Sequence, residues 1–291
     1  MTHRKSFQLE LRSRTLRLGE HTLVMGVLNV TPDSFSDGGK FLDVKRAVQH
    51  ALAMQRDGAD VIDIGAESTR PGSLEISTAE ELRRLLPVLE ALRGKLKIPI
   101  SVDTQKAAVA EIALGAGAEI INDISGLRSD PRLAEVAAKH GASLILMHMR
   151  GTPRTMQRGP FARDVLKDVA SGLRKSIATA RKHGVPRSRI VIDPGIGFGK
   201  SYTQNYELLA KLPELAKLGY PLMVGTSRKG FLGATLAKHG KPAPAEERIW
   251  GTAATVAASI LNGAHIVRVH DVAEMSQVAR VADALLNVGN S

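Results

Sequence analysis

The 291-residue sequence contains no cysteine, which excludes disulfide bonds and thiolate chemistry. A chain without cysteine fits a reducing compartment, and we expect a cytoplasmic protein. Aromatic residues make up only 3% of the chain, so aliphatic side chains must fill its core. The sequence also lacks any run of about 18 or more apolar residues, so we expect no membrane partner.

The charge balance is strongly basic. The chain has 40 Lys and Arg residues against 29 Asp and Glu, which gives a formal net charge of +11. Such a balance is typical of proteins that bind nucleic acids, acidic membranes or anionic substrates. Here the basic residues are spread along the chain, and few aromatic rings are available to stack on bases. We therefore predict no nucleic-acid partner and favour a surface that steers phosphorylated ligands.

Eight short apolar runs alternate with helical patterns from Leu23 onward. Runs rich in Val and Ile are typical of parallel strands that are buried on both faces. Polar groups at one end of eight such strands predict a (β/α)8 TIM barrel with its active site at the carboxyl-terminal face. The runs are Leu23–Leu28, Val61–Ile64, Ile98–Val102, Glu119–Ile121, Ser143–Met147, Ile190–Ile192, Leu222–Val224 and Ile266–Val269. They lead into Asn29, Glu67, Asp103, Asn122, His148, Asp193, Ser227 and His270.

No linker or low-complexity tract divides the chain, so we predict one domain over residues 1–291. Residues 22–288 would form the barrel, and residues 1–21 a short hairpin that closes its bottom. Apolar residues alternate on both sides of a turn at Arg12–Arg14, as a hairpin requires. The alternative is a basic transit peptide, which Glu10 and Glu20 disfavour because they interrupt the run of basic residues.

Three helix predictions follow from local patterns. Apolar spacing from Phe161 to Ile177 predicts the longest helix of the chain. Thr78 followed by Glu81 forms a capping-box pattern. Residues Phe231–Gly263 are long for one crossover, so Lys238–Pro244 is expected to break it into two helices.

Two polar loops follow the first two barrel strands. The first carries Asn29, Asp33, Phe35 and Asp37 among Gly, Pro and Ser, which favour turns. An ordinary solvated loop is the alternative, but its position on the active face favours function. In the second, Glu67-Ser-Thr-Arg-Pro-Gly, the arginine suits a phosphate. Asp63 and Glu67 belong either to the site or to the structure of the barrel.

Asp103 and Asn122 follow neighbouring strands, where a carboxylate and an amide can recognise the donor and acceptor edge of a heterocycle. The alternative is a buried polar network between strands. Asp193 precedes a glycine-rich segment that lets a ligand approach the backbone. We interpret His148 as a hydrogen-bonded structural residue outside the site.

Cationic groups gather at the last two strands. Lys229 precedes a predicted helix, whose amino terminus would favour an anion. Arg268 and His270 are two residues apart and share one face of a strand. With Arg70 across the mouth, they indicate a phosphate ligand. No HExxH motif, Cys/His cluster or GxSxG elbow occurs, so a permanent zinc or a serine triad is not expected.

These segments together resemble the dihydropteroate synthases. The similarity extends over about residues 23–286, and its motifs occur in the order found in that family. The segments that carry it are Met25–Gly39, Glu67–Gly72, Asp193–Lys200 and Ser227–Lys229.

The resemblance implies a TIM barrel, usually homodimeric, that acts as a transferase in folate biosynthesis. Members of the family condense 6-hydroxymethyl-7,8-dihydropterin pyrophosphate with p-aminobenzoate, and they release 7,8-dihydropteroate and pyrophosphate. Sulfonamides compete with p-aminobenzoate. A Mg²⁺-assisted dissociative substitution with a cationic pterin intermediate is implied. Mg²⁺ carried by the substrate needs only one weak protein ligand.

The resemblance also implies residue roles. The pterin site would consist of Asp103, Asn122, Met147, Asp193, Lys229 and Arg268. The pyrophosphate site would consist of Asn29, Thr69, Arg70, Arg268 and His270, with Mg²⁺ near Asn29. The p-aminobenzoate pocket would consist of Phe35, Pro71, Phe198 and the backbone near Gly230. Asp33 and Asp37 would help to close the first loop. The expected catalytic residues are Asp37, Asp103, Lys229 and Arg268.

Two small departures and three rival functions accompany the resemblance. Ala66 stands where a second glycine is common, and Gly230 stands where serine is frequent, so a hydroxyl contact to p-aminobenzoate is absent. A methyltetrahydrofolate-dependent corrinoid methyltransferase would share the Asp and Asn contacts but would not explain Lys229 or the Arg268 and His270 pair. A catalytically silent pterin-binding paralogue would be expected to lose Arg70, Lys229 or Arg268. A nucleic-acid-binding protein is the most distant rival.

Overall fold

The computed structural model describes residues 4–31, 40–68 and 72–288. Within these ranges a two-stranded antiparallel hairpin precedes eight parallel strands that alternate with helices. The hairpin strands are β1 (Phe7–Glu10) and β2 (Thr15–Leu18). The parallel strands are β3 (Leu23–Asn29), β4 (Val61–Gly65), β5 (Ile100–Asp103), β6 (Ile120–Asp123), β7 (Ser143–Met147), β8 (Ile190–Asp193), β9 (Met223–Val224) and β10 (Ile266–Val269). The α-helices are α1 (Lys40–Arg56), α2 (Thr78–Leu92), α3 (Ala107–Gly115), α4 (Arg132–His140), α5 (Val165–Lys182), α6 (Tyr202–Ala210), α7 (Leu212–Ala216), α8 (Gly230–Thr235), α9 (Ile249–Leu261) and α10 (Val272–Asn287).

The parallel strands form a nearly closed barrel. Their order is β8-β7-β6-β5-β4-β3-β10-β9, and every neighbouring pair is parallel. A parallel bridge between Ile192 in β8 and Leu222, just before β9, joins the two edges of the sheet. The predicted (β/α)8 barrel is therefore confirmed.

Strand register brings the polar residues to one end of the barrel. Asn29 lies opposite Gly65, Gly65 lies opposite Asp103, and Asp103 lies opposite Asn122. Farther round, Met147 lies opposite Asp193. Because all the strands run in the same direction, their carboxyl-terminal residues form one face.

Side chains alternate between the barrel interior and the helices, as strand geometry requires. In β4, Val61 belongs to a small interior cluster, whereas Ile62 and Ile64 belong to the large core between strands and helices. In β10, Ile266 likewise points inward, and Val267 and Val269 join the large core. The interior is thus apolar near the amino ends of the strands. Its carboxyl-terminal layers carry the polar groups.

The amino-terminal hairpin closes the bottom of the barrel. Phe7 pairs with Leu18 and Glu10 pairs with Thr15, across a turn in which the Leu11 N–H donates to the Arg14 carbonyl at 2.8 Å. Its buried leucines pack against the interior residues at the amino ends of the barrel strands. Each fully buried leucine contributes about 2 kcal/mol. The prediction of this hairpin is confirmed.

A buried ion pair joins the hairpin region to the last helix. Arg4 donates from Nη2 to Oδ1 of Asp283 at 3.0 Å, and from Nη1 to the hydroxyl of Thr22 at 2.7 Å. Asp283 also accepts from the Thr22 N–H at 2.7 Å. The first described residue is thereby fixed to α10.

The helix predictions are partly right. With 18 residues, α5 is the longest helix of the described ranges, but it begins at Val165 because the Asp164 carboxylate accepts from the Lys167 N–H at 2.9 Å. Phe161 therefore lies outside it. Ser77 caps α2, one residue before the predicted Thr78. The crossover after β9 is broken into α8 and α9, as predicted. No helix in the described residues is long and apolar enough to cross a bilayer.

Candidate active site

Arg268 crosses the mouth of the barrel to two carboxylates. From β10 its Nε donates to Oδ2 of Asp63 in β4 at 2.6 Å, and its Nη2 donates to Oδ2 of Asp103 in β5 at 3.0 Å. Asn122 in β6 donates from Nδ2 to the same Asp63 oxygen at 3.0 Å. The structure therefore brings three predicted site residues together: Asp63 joins Arg268 to Asn122, and Arg268 joins Asp63 to Asp103.

Burial controls the charge of the two predicted pterin carboxylates. Desolvation raises the pKa of Asp103 to about 7, against the opposing effect of Arg268 and with a further increase from Asp63. Desolvation also raises the pKa of Asp193 to about 6, although its Oδ1 accepts from the Gly195 N–H at 2.7 Å. Carboxyl groups that titrate near neutrality in a concave site are typical of active sites.

Lys229 lies over the ring of Phe198. Its Nζ is 4.0 Å from the ring centroid, within the range of a cation–π contact. Burial lowers the pKa of Lys229 to about 8, with a further decrease from Arg268. A Cβ at Gly197 would lie 3.1 Å from Lys229 Cδ, so the absence of a side chain at Gly197 makes room for this lysine.

The loops after β7 and β8 contact each other through backbone. A Cβ at Gly195 would lie 2.0 Å from the carbonyl oxygen of His148, and Gly195 has a φ of +67°. Only glycine fits that position. Buried Lys200 donates to the carbonyl oxygens of His148 and Phe198, both at 2.9 Å. Desolvation lowers the pKa of Lys200 to about 7.

His148 lies in the environment of a structural histidine. Its Nδ1 is 3.0 Å from Lys200 Nζ, and its side chain is only 10% exposed. Burial and then Lys200 lower its pKa to about 3. The ring is therefore enclosed and uncharged at neutral pH, and the interpretation of His148 as a residue outside the site stays a prediction.

Asn29 and His270 lie at the edge of the cluster. A Cβ at Gly65 would lie 3.8 Å from Asp103 Oδ2 and 3.9 Å from Asn29 Oδ1, so these two oxygens flank the same glycine. Asn29 is exposed. His270 Nδ1 is 3.0 Å from the hydroxyl of Ser227, and burial followed by Arg268 lowers the pKa of His270 to about 3. His270 is therefore uncharged at neutral pH in this state.

The remaining predicted residues fall into two groups. Met147 and Phe198 belong to a small buried apolar cluster, and Gly230 is the first residue of α8. The others lie outside the described residues: Asp33, Phe35, Asp37, Thr69, Arg70 and Pro71.

Sequence reasoning did not assign Asp63 to the site. Asp63 is fully buried within β4, two residues after the interior residue Val61. The alternation of strand side chains is the signal that could have found it, because it places Asp63 in the barrel interior with Arg268. The sequence gives Ser227 no role in the site, because its hydrogen bond to His270 depends on the meeting of two separate loops.

The described residues offer a magnesium ion few oxygen donors. Within residues 4–31, 40–68 and 72–288, no group of three or more His, Cys, Asp or Glu could hold a metal ion. Mg²⁺ commonly uses few protein oxygens together with waters and substrate phosphates. The exposed amide oxygen of Asn29 at the end of β3 matches that limited donor set.

The barrel, with carboxylate, amide and lysine side chains at its carboxyl-terminal face, belongs to the class of pterin-binding enzymes. The family model described as pterin binding enzyme matches residues 25–270. The dihydropteroate synthase of Synechocystis sp. is 51% identical over 92% of this chain and 91% of its own length.

Solved structures give the same result. The Xanthomonas albilineans dihydropteroate synthase with 4-aminobenzoic acid has a TM-score of 0.89 and 41% identity, covering 98% of this chain and 100% of that one. The Yersinia pestis dihydropteroate synthase with a sulfonamide drug has a TM-score of 0.88 and 43% identity, covering 96% and 99%. The chain belongs to the dihydropteroate synthases, which are transferases of folate biosynthesis.

Proposed function

We propose that the chain condenses 6-hydroxymethyl-7,8-dihydropterin pyrophosphate with p-aminobenzoate, and that the reaction takes place at the cluster around Arg268. The observation that carries this assignment is the meeting of Arg268, Asp103 and Asn122 at the carboxyl-terminal face. The relatives with bound 4-aminobenzoic acid and a sulfonamide support the choice of the second substrate and of the inhibitor class.

Asp103 and Asn122 have the chemistry needed to bind the pterin edge. The ionised Asp103 carboxylate accepts N–H groups, and the buried Oδ1 of Asn122 has no hydrogen-bond partner among the described residues. Asp193 and Lys229 would add an acceptor and a donor. Met147, from the adjacent apolar cluster, would cover the face of the ring.

Cations would hold the pyrophosphate. Arg268 supplies a permanent charge, and uncharged His270 supplies a ring nitrogen whose pKa a nearby phosphate would raise. Asn29, Thr69 and Arg70 would complete this part of the site. Asn29 would also hold Mg²⁺, which when bound would neutralise charge on the leaving pyrophosphate.

The reaction breaks the bond between the pterin methylene carbon and the pyrophosphate oxygen. The amine of p-aminobenzoate then forms a bond to that carbon and loses a proton. Asp103 and Asp193 would stabilise positive charge on the pterin, with Lys229 and Arg268 as the catalytic cations. Closure of the first loop, with Asp33 and Asp37, would exclude water.

The p-aminobenzoate pocket would lie beside Lys229. Phe198 packs against the lysine, and Gly230 begins α8 directly after it. The amino end of this helix would face the substrate carboxylate. Phe35 and Pro71 would supply the other walls.

The test is pyrophosphate release from the dihydropterin pyrophosphate with Mg²⁺, measured with and without p-aminobenzoate. We expect release that depends on p-aminobenzoate, forms dihydropteroate and is inhibited by a sulfonamide. Tight pterin binding with no release would instead indicate a silent paralogue or a pterin-dependent methyltransferase.

We also propose a homodimer formed through α9 and α10, which pack against each other. Both helices leave large apolar side chains exposed, including Trp250 at 80% and Val281 at 64%. Exposed apolar patches commonly mark interfaces. Sedimentation of Trp250→Glu should give a monomer, and Leu74→Glu, an exposed leucine elsewhere, should leave the dimer intact. A dimeric Trp250→Glu variant would refute this surface.

We also propose a cytoplasmic location for the enzyme. A multiply charged pyrophosphate ester does not enter a bilayer unaided, so the enzyme must share a compartment with the reaction that makes this ester. Cell fractionation tests the location. Recovery of the protein outside the cytoplasmic fraction would contradict it.

A further inference from the structure

One carboxylate oxygen of Asp63 accepts two hydrogen bonds, and the other has no hydrogen-bond partner among the described residues. Its Oδ2 accepts from Arg268 Nε at 2.6 Å and from Asn122 Nδ2 at 3.0 Å. Its Oδ1 is buried and has no hydrogen-bond partner among the described residues. An unsatisfied buried carboxylate oxygen is costly, so packing alone does not account for this residue.

The contact with Asp63 also determines which way the Asn122 amide points. An ionised carboxylate only accepts hydrogen bonds, so the Asn122 NH₂ group must face Asp63. The amide oxygen is consequently left without a partner in the described residues. Without Asp63, the amide could turn and offer a donor where an acceptor is present now.

We infer that Asp63 is a positioning residue for the transferase reaction: it fixes Arg268 and the amide of Asn122 at the carboxyl-terminal face of the barrel. This inference rests on the proposed function. Asp63 itself touches no substrate in this assignment and acts through its three neighbours.

Removing the negative charge of Asp63 should lower the pKa of Asp103. Asp103 is buried, and the negative charge of Asp63 raises its pKa while Arg268 lowers it. If Asp63 is made neutral, its repulsion of the Asp103 carboxylate is lost. Of the two carboxylates that Arg268 contacts, only that of Asp103 then remains. Both changes lower the pKa of Asp103. The charged groups that act on this site are Asp63, Glu81, Asp123, Asp193, Lys229 and Arg268.

Asp63→Asn and Asp63→Ala separate charge from geometry. Asparagine keeps an oxygen acceptor but removes the charge, whereas alanine removes both. Asp60→Asn is the matched control, because Asp60 precedes the same strand and its carboxylate accepts from the Val24 N–H at 2.8 Å, away from Asp103. The measurement is kcat/KM for the dihydropterin pyrophosphate between pH 5 and pH 9, at saturating p-aminobenzoate.

In the wild type we expect kcat/KM to fall on the acidic side as Asp103 gains its proton. In Asp63→Asn this acidic limb should move down by about one pH unit. Asp63→Ala should lose about 10²-fold in kcat/KM, as expected when a reacting group is misplaced. Asp60→Asn should keep the wild-type profile.

A superimposable pH profile in Asp63→Asn, or wild-type kcat/KM in Asp63→Ala, would overturn the inference. Calorimetric binding of the dihydropterin pyrophosphate without p-aminobenzoate gives a second readout. Asp63→Ala should bind it at least about 10-fold more weakly, and equal affinity would also overturn the inference. Failure of the proposed function has a different signature, which is wild-type protein that releases no pyrophosphate in response to p-aminobenzoate.

Discussion

Lys200 donates a hydrogen bond to the backbone carbonyl of Phe198 at 2.9 Å, and the same ammonium donates to the carbonyl of His148. One buried side chain thus joins the loops after β7 and β8. The ring of Phe198 is thereby held under Lys229.

Replacing Lys200 by methionine should loosen that connection. Two buried carbonyls would lose their donor, and the loop that carries Phe198 would shift. We expect the KM for p-aminobenzoate to rise about 10-fold and the stability to fall by about 2 kcal/mol. Steady-state kinetics and urea unfolding measure both. Lys211→Met, at an exposed lysine paired with Glu207, is the control, and an unchanged KM in Lys200→Met would refute the role.

Arg268→Ala and Lys229→Ala should each abolish turnover while the protein stays folded. Each removes a cation from the place where the pyrophosphate leaves or the pterin is held, and such losses cost about 10³-fold or more in kcat. Kinetics together with circular dichroism test this expectation. Lys217→Ala, at a 72%-exposed lysine, should keep full activity. Wild-type kinetics in either site variant would remove that residue from the site.

Phe198→Leu should weaken sulfonamide binding more than pterin binding. The change removes an aromatic face that contacts Lys229 and, in the proposed pocket, the ring of p-aminobenzoate or of the drug. We expect sulfonamide affinity to fall about 10-fold and pterin affinity by no more than about 2-fold. Calorimetric titration of the variant with each ligand measures the two affinities. Equal losses for both would contradict the pocket assignment.

His265 should make the fold sensitive to acid. Its Nε2 lies 2.8 Å from the carbonyl oxygen of Lys5, and its Nδ1 accepts from the Leu222 N–H at 3.1 Å, an arrangement that only the neutral ring satisfies. Burial lowers its pKa from 6.5 to about 4. As pH falls, the unfolded chain therefore binds the proton first, and stability is lost between about pH 6.5 and pH 4.

The size of that effect can be measured by urea unfolding at pH 7 and pH 5. His265 should account for about 2 kcal/mol of the wild-type loss over this interval. His265→Gln, which retains an amide donor and acceptor, should lose less stability over the same interval by that amount. His50→Gln, at an exposed position, should behave like the wild type. Identical losses in wild type and His265→Gln would disprove the assignment.

The strand runs were enough to predict the barrel, because buried parallel strands need continuous Val and Ile segments and each run fits one strand. Apolar spacing does not predict a helix boundary that a capping side chain decides: Asp164, and not the spacing from Phe161, sets the start of α5. The division into a hairpin over residues 1–21 and a barrel over residues 22–288, within one domain, stays a prediction.

The sequence predicted polar side chains at the strand ends, as at Asp103, Asn122 and Asp193, and the structure brings these strand ends to one face of the barrel. The sequence left Asp63 open between the site and the structure of the barrel, because its partner Arg268 lies far along the sequence and only the strand order brings β10 near β4 and β5. The uncharged state of His270 also could not be predicted from the sequence. It depends on burial beside Arg268, which the three-dimensional structure creates. The roles assigned to individual residues stay predictions.

The ion pair between Arg4 and Asp283 has a practical consequence for engineering. It fixes the start of the hairpin beside the end of α10, at the end of the barrel opposite the carboxyl-terminal face. A fluorescent reporter, affinity handle or second catalytic module attached before residue 4 or after residue 288 would therefore extend away from the substrates. Such fusions should leave the approach of both substrates unobstructed.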